Sequence, residues 1–244
     1  MPQKSTKAQI RFPDFLSFLC LFAAKQAKLC QVSDRHQKHF LPAAGHDLFL
    51  PLYDPLVSLL GAARARRELI KQANLQPGQR ILDLGCGTGT MVIMLKRQHP
   101  QTHVLGLDPD PKALARARRK VQRASVLAHF DQGFSDQLPY KEALFDRVFS
   151  SFMFHHLEGD DPEKTLREVL RVLKPDGSFH LLDFAGGENG SHLFRLHVGE
   201  RLKDYSEDHI TGMMRQVGLK GVQKTSDGSM FFGLLRTSYY EGHA

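Results

Sequence analysis

Apolar and polar positions follow two alternating rhythms along most of this 244-residue chain. From residue 54 the spacing is helical. Asp54 can cap, Pro55 suits a first helical position, and Leu56, Leu59, Leu60, Ala63, Arg67 and Ile70 recur at steps of three or four. Asn74 to Gly78 ends that helix. Short apolar runs and helical stretches then take turns. Strands are predicted at Arg80–Leu84, His103–Leu107, Val126–Phe130, Asp146–Ser151 and Ser178–Phe184. Helices are predicted at Thr90–Gln98, Pro111–Arg123 and Pro162–Leu173, with a turn at Pro175-Asp176-Gly177. A flexible stretch from Ala185 precedes a helix over 191–204. Ser206 caps another helix running to Val217, and Leu219–Lys224 and Ser229–Leu235 resemble a closing pair of strands.

Alternation of this kind argues for a doubly wound, mainly parallel sheet, helices on both faces, in an α/β fold. Residues 1–53 read as an N-terminal helical extension and lead-in. Residues 54–244 read as one domain, its cofactor half at about 75–184 and a substrate-side insertion at about 185–205.

Composition adds limits. The chain is 41% hydrophobic and 24% charged, ordinary for a globular protein, and no internal repeat is evident. Its formal net charge of +7 favours anionic partners without naming one. Cys20, Cys30 and Cys86 form no CxxC pair, so neither a disulfide framework nor a metal site is expected, and a cytoplasmic location fits. Phe15 to Ala24 reads FLSFLCLFAA, too short to span a bilayer, which takes about 20 residues. It reads as a segment packed on the domain or loosely ordered, or as a peripheral membrane contact assisted by Lys4, Lys7, Arg11, Lys25 and Lys28.

In open α/β sheets, ligands bind beyond the carboxyl ends of the strands. The first strand here ends in Asp83-Leu84-Gly85-Cys86-Gly87-Thr88-Gly89. Alternate glycines permit positive φ and close backbone approach. Dinucleotide sites use G-x-G-x-x-G and seat a pyrophosphate. This loop is G-x-G-x-G with an acid before it, and Asp83 would repel pyrophosphate yet suit an ammonium. Asp108 ends the second strand about 20 residues later, where an acid can accept both hydroxyls of a ribose.

The stretch Asp83 to Gly89, Asp108, and Leu138-Pro139-Tyr140 followed by Phe145-Asp146-Arg147-Val148 resemble class I S-adenosylmethionine-dependent methyltransferases. The resemblance is to the group holding the ubiquinone/menaquinone C-methyltransferases, and it covers about residues 75–184. It implies a seven-stranded Rossmann-like methyltransferase fold with S-adenosyl-L-methionine as cofactor. It places Gly85, Cys86, Gly87 and Gly89 along the methionine portion, Asp83 near its ammonium, Asp108 on the ribose and Pro109 beside the adenine. Gly133 and Phe134 follow the third strand, and Phe134 stands where the family usually has an acid for the adenine amino group. Ser135 or Asp136 could supply that polar contact instead. Ser150 or Ser151 gives a first contact to the methionine part. His155 and His156 are candidates for a catalytic base, or brace the loop.

Methyl transfer from a sulfonium is an in-line displacement that needs alignment and a dry site more than a fixed set of catalytic groups. No Asn-Pro-Pro-Tyr-like tetrad follows the fourth strand, so a nucleic-acid partner is not expected. The acceptor pocket is expected from His46 to Tyr53, the loop after His155 and the insertion. These carry Phe49, Leu50, Tyr53, Phe152, Phe154, Phe184, Phe194 and His197, which suits a small lipophilic or aromatic acceptor. Two other readings stand beside this one: a phospholipid N-methyltransferase at the membrane surface, and a non-catalytic cofactor-binding, RNA-associated protein. The cations of 111–123 (Lys112, Arg116, Arg118, Arg119, Lys120, Arg123) read as a solvated face that could also meet phosphates.

Overall fold

The computed structural model describes residues 61–159, 161–185, 206–230, 233 and 235–244. The expectations for Phe15 to Ala24, for His46 to Tyr53, for Asp54 and Pro55, and for the insertion beyond Ala185, with Phe194 and His197, lie outside them.

Seven strands form one sheet in the order β3-β2-β1-β4-β5-β7-β6. These are β1 (Arg80–Leu84), β2 (His103–Asp108), β3 (His129–Gln132), β4 (Phe145–Ser151), β5 (Leu173–Phe184), β6 (Lys220–Met230) and β7 (Leu235–His243). Strands β1 to β5 pair in parallel, and β7 runs antiparallel to both β5 and β6. The strand order reverses direction between β1 and β4, which opens a crevice at their carboxyl ends.

Helices α1 (Ala63–Gln72), α2 (Thr90–Gln98) and α3 (Pro111–Arg123) serve one face. Their Leu69, Ile70, Met91, Val92, Leu95, Leu114, Ala117 and Val121 share a core with Ile81 and Phe149. Helices α4 (Asp161–Val172) and α5 (Glu207–Gln216) serve the other face. There Leu166, Val169, Ile210 and Met214 pack with Leu82, Leu84 and Val148. Neighbouring strand residues thus go to opposite cores, as the two-residue period requires, and burying both faces explains why the strands read as apolar runs.

Helix starts follow their sequence signals. Asp110 caps α3 by accepting from the Lys112 N–H at 2.8 Å, with Pro111 in the first turn. Ser206 caps α5 by accepting from the His209 N–H.

Four expected strands shift. The run Val126–Phe130 joins the sheet only from His129, because the Val126 N–H is still held by the Val121 carbonyl at the end of α3. Leu127 is left 89% exposed. Pro175-Asp176-Gly177 is an irregularity inside β5, where pairing with β4 jumps from Phe145–Leu173 to Arg147–Ser178. The last two strands are longer than expected. They pair antiparallel with Met230 opposite Leu235, so Ser229 and Met230 end one strand and Leu235 begins the next, where a single strand over Ser229–Leu235 was expected.

Candidate cofactor and acceptor site

The glycine loop leaves β1 directly into α2. Gly85, Gly87 and Gly89 have φ of 71°, 51° and 74°, which side-chain-bearing residues avoid. Their surroundings separate their roles. A Cβ on Gly85 would lie 2.3 Å from Met153 Cγ, and one on Gly89 would press on Ala117 and Phe130 at 3.0–3.2 Å. A Cβ on Gly87 would meet nothing within 4 Å. Gly87 therefore borders open space, while Gly85 and Gly89 permit close packing. The loop is tied to β2 by the N–H groups of Gly85 and Cys86, both donating to the Leu107 carbonyl at 2.8 and 3.0 Å. The Cys86 side chain turns away into the core, against Gly106, and burial pushes its thiol pKa up. Only the backbone of Cys86 belongs to the loop's outer edge.

Asp83 is 1% exposed, and neither carboxylate oxygen has a hydrogen-bond partner among the described residues. Burial pushes its pKa up to about 7, opposed by the Arg66 guanidinium and reinforced by Asp108. A buried carboxylate left without donors is costly unless a cation meets it. The Ser150 hydroxyl at the end of β4 is likewise buried and unpartnered among the described residues.

Asp108 ends β2 and accepts from the Gly87 N–H at 2.8 Å and the Asp110 N–H at 2.9 Å. The helix cap is Asp110, so Asp108 is not spent on capping. Burial raises its pKa, and the two backbone donors pull it back. Each oxygen keeps lone-pair capacity for a further donor. Pro109 follows it, and its carbonyl accepts from Gln132 Nε2 across the mouth of the crevice.

At the far end, Gly133 follows β3, and a Cβ there would lie 3.1 Å from Leu107. Phe134 is 36% exposed, an unusual position for a large apolar side chain. Ser135 turns the other way, its hydroxyl 2.8 Å from that of Thr165 on α4. The next turn is held by a knot that the sequence reading missed. Arg171 grips Glu168 and donates to the carbonyls of Tyr140 and Leu138, while Glu168 accepts from the Leu138 N–H at 2.7 Å. A Glu-x-x-Arg pair on a helix facing Leu-Pro-Tyr was the available signal.

The loop after β4 holds the histidines. His155 Nδ1 lies 2.7 Å from Asp183 Oδ1, and the His155 N–H donates to Asp183 Oδ2 at 3.1 Å. Asp183 near the end of β5 is 3% exposed and also accepts from the Phe184 N–H. Asp183 too was missed, because its partner is 28 residues away. His156 is exposed, its ring 4.0 Å from that of His155. Phe152 and Phe184 pack together at 5.2 Å, and Phe184 meets the His155 ring at 5.0 Å. Phe154, expected to line the acceptor pocket, is instead fully buried beside Phe179. The turn at Phe152, not sequence proximity, thus decides which aromatic of this loop is buried.

Helix α3 is not simply a solvated basic face. Lys120 Nζ donates to the hydroxyls of Thr88 and Thr90, and Arg118 donates to the Phe130 carbonyl. These cations tether the glycine loop and β3. Among the described residues no cluster of His, Cys, Asp and Glu could hold a metal ion.

S-adenosylmethionine fits this arrangement. Asp83 offers an unsatisfied buried anion for its ammonium, Gly87 an open backbone edge, and Asp108 acceptors for its ribose. Residues 81–177 match the model of a methyltransferase domain. The demethylmenaquinone methyltransferase of Thermus thermophilus is 37% identical over 144 residues, 58% of this chain and 64% of that protein. The ubiquinone/menaquinone biosynthesis C-methyltransferase of Vibrio cholerae is 34% identical over 123 residues, 49% and 46% of the two chains. The chain thus spans less than two thirds of the length of these relatives. An S-adenosylmethionine-dependent methyltransferase from Aquifex aeolicus shares the fold, with TM-score 0.57 at 20% identity over 72% of this chain and 88% of that one. The seven-stranded order with its reversed last strand, the acid-glycine loop after β1 and these matches agree: residues 81–177 resemble a methyltransferase domain, in a fold similar to that of an S-adenosylmethionine-dependent methyltransferase.

Proposed function

We propose that this chain transfers a methyl group from S-adenosylmethionine to a small lipophilic or aromatic acceptor, such as a quinol-like ring. The observation that carries the reading is Asp83, a buried carboxylate with no hydrogen-bond donor among the described residues, at the mouth of the glycine loop. The names of the Thermus and Vibrio relatives point to quinone precursors as the acceptor class.

The cofactor supplies an electrophilic methyl on a sulfonium, which departs as a neutral thioether. The chain's own residues do the rest. Asp83 binds the ammonium, Asp108 the ribose, and the backbone at Gly87 lies along the ligand. Ser150 supplies a hydroxyl to the methionine portion. Gly133 lets the chain pass close to the adenine, and Phe134 packs on its ring in place of the family's usual acid. Phe152 and Phe184 form an aromatic wall that excludes water and orients a flat acceptor. Asp183 accepts from His155 Nδ1, which fixes the tautomer and leaves Nε2 free to take a proton from the acceptor as its new bond forms. His156 braces the ring from the side. Such a base matters for a phenolic or enolic acceptor, which must shed a proton.

Peripheral membrane contact through residues 15–24 belongs to the same proposal, since a lipophilic acceptor resides in bilayers. Within the described residues, Arg67, Arg97, Lys120 and Arg123 rim a groove of about 410 Å³ floored by Ile93 and Met94, a cationic surface suited to lipid headgroups. Incubation with S-adenosylmethionine labelled in its methyl group and a fractionated cell extract tests the whole reading. Label in a lipid-soluble aromatic fraction supports it. Label confined to RNA or to phospholipid headgroups, or no transfer at all, refutes it.

A further inference from the structure

Charge is divided unequally between the two faces of the sheet. Helices α1, α2 and α3, on one face, carry twelve Lys and Arg residues against a single acid, Glu68. Helices α4 and α5, on the other, carry four against five acids. Part of the first set is spent inside the protein. Lys96 donates to the carbonyls of Pro100 and Thr102, Arg118 to that of Phe130, and Lys120 to the threonine hydroxyls at the glycine loop. Arg67, Arg97 and Arg123 are exposed, and none pairs with an acid among the described residues. Cations kept together without counter-charges repel one another, a cost that an anionic partner removes.

These three arginines and Lys120 stand around the groove of about 410 Å³ between the three helices. Ile93 and Met94, half-buried on α2, continue from its floor into the core beneath. Ala63 and Ala124 line it too, with side chains too short to fill it. Guanidinium groups over an apolar floor match an amphipathic anion, its phosphate on the arginines and its first carbons on the floor. A nucleic acid matches less well, because no aromatic side chain lines the groove to stack on a base.

The groove also lies next to the crevice. Thr90, on its lining, opens α2 directly after Gly89. Arg97 follows two turns later, about 10 Å along the helix. A surface resting on this face therefore sits beside the glycine loop.

We propose that the face formed by α1, α2 and α3 docks on an anionic lipid bilayer, with a lipid phosphate seated in the groove between Arg67, Arg97 and Arg123. The purpose of the docking, access to an acceptor dissolved in the bilayer, rests on the proposed lipophilic acceptor; the docking itself does not.

Co-sedimentation of the full chain with vesicles, without cofactor or acceptor, tests it. Vesicles of phosphatidylcholine mixed with phosphatidylglycerol should bind the chain, and pure phosphatidylcholine should not. Binding should fall steeply between about 0.05 and 0.5 M salt. Each unit of charge near an anionic bilayer is worth about fivefold in partitioning. Arg123→Glu changes the charge by two units and should weaken binding about 25-fold. Arg167→Glu makes the same change on α4, on the opposite face, and should stay within about twofold of the wild type. Thermal melting and S-adenosylmethionine affinity, both measured without vesicles, report whether each variant folds. Should Arg123→Glu not fold, Arg97→Glu carries the same comparison. Equal loss in the two variants would assign the binding to net charge and overturn the proposal. So would vesicle binding indifferent to Arg97 and Arg123, or arginine-dependent binding of a single-stranded RNA with none to vesicles. Absent vesicle binding, with label still reaching a lipid-soluble acceptor, refutes the surface alone. Vesicle docking with transfer only to water-soluble acceptors refutes the proposed acceptor alone.

Discussion

The ring of His155 is anchored by Asp183, with Nδ1 2.7 Å from one carboxylate oxygen and the backbone N–H on the other. One aspartate thereby sets both the position and the tautomer of one histidine. If that histidine takes the acceptor's proton, Asp183→Asn should lower kcat by about 100- to 10,000-fold, the range for a misdirected base. The dissociation constant for the cofactor should barely change. Binding and turnover measured on the same sample decide it: a parallel loss of both would mean that Asp183 only holds the loop.

Asp83 gives the site a pH dependence of defined sign. Burial holds its pKa up at about 7, whereas the unfolded carboxyl titrates near ~3.9. Between those values the folded chain keeps a proton that the unfolded chain has released. Stability of the ligand-free protein should therefore fall as pH rises from about 4 to about 7. Cofactor affinity should run the opposite way, rising as the carboxylate forms. Asp83→Asn should flatten both profiles, raise the melting temperature of the ligand-free protein above neutral pH, and bind cofactor poorly throughout. Thermal melts and binding isotherms across that range check it.

Asp108 joins the glycine loop to β2 through the Gly87 N–H. Asp108→Ala removes this tie, the Asp110 contact and the ribose acceptors together. A loss of cofactor affinity of at least about 100-fold is expected, from charge-assisted hydrogen bonds of ~1.5–3 kcal/mol each. Adenosine, which has the ribose but no amino-acid end, should lose affinity too in a competition assay. Unchanged binding of adenosine would remove Asp108 from the ribose site.

Gly85 faces Met153 so closely that any Cβ collides, and its φ of 71° adds strain. Gly85→Ala should cost about 1–3 kcal/mol of stability. Adding Met153→Ala should recover the steric part and leave the strain. Denaturant unfolding of both single variants and the double variant measures the coupling. Strict additivity would show that the collision relaxes elsewhere.

The order of elements, the cofactor loop and the two acids could be read from the chain because each rests on local rules. Apolar period separates strand from helix, alternate glycines need positive φ, and an acid at a strand end faces the crevice whatever packs behind it. Helices α2 and α3 begin and end where their spacing places them, α3 with Asp110 as its cap. Strand ends were less legible. Val126 to Ala128 look like strand but are held by the end of α3, and Phe231-Phe232 carry the apolar pattern past the end of β6.

Sequence by itself therefore determined a doubly wound sheet with a glycine loop after its first strand, because backbone conformation and hydrophobic period are set by near neighbours. Tertiary structure alone decided what surrounds that loop. It brought Arg66 to Ser151 from 85 residues away, Asp183 to His155, and Lys120 to the threonines of the glycine loop. It buried Phe154 and left Phe152 half-buried, and it stripped Asp83 of hydrogen-bond donors among the described residues. Those are matters of register and of which face each helix covers. A charge acquires its chemical role only when the packing of distant elements fixes its solvent and its partner.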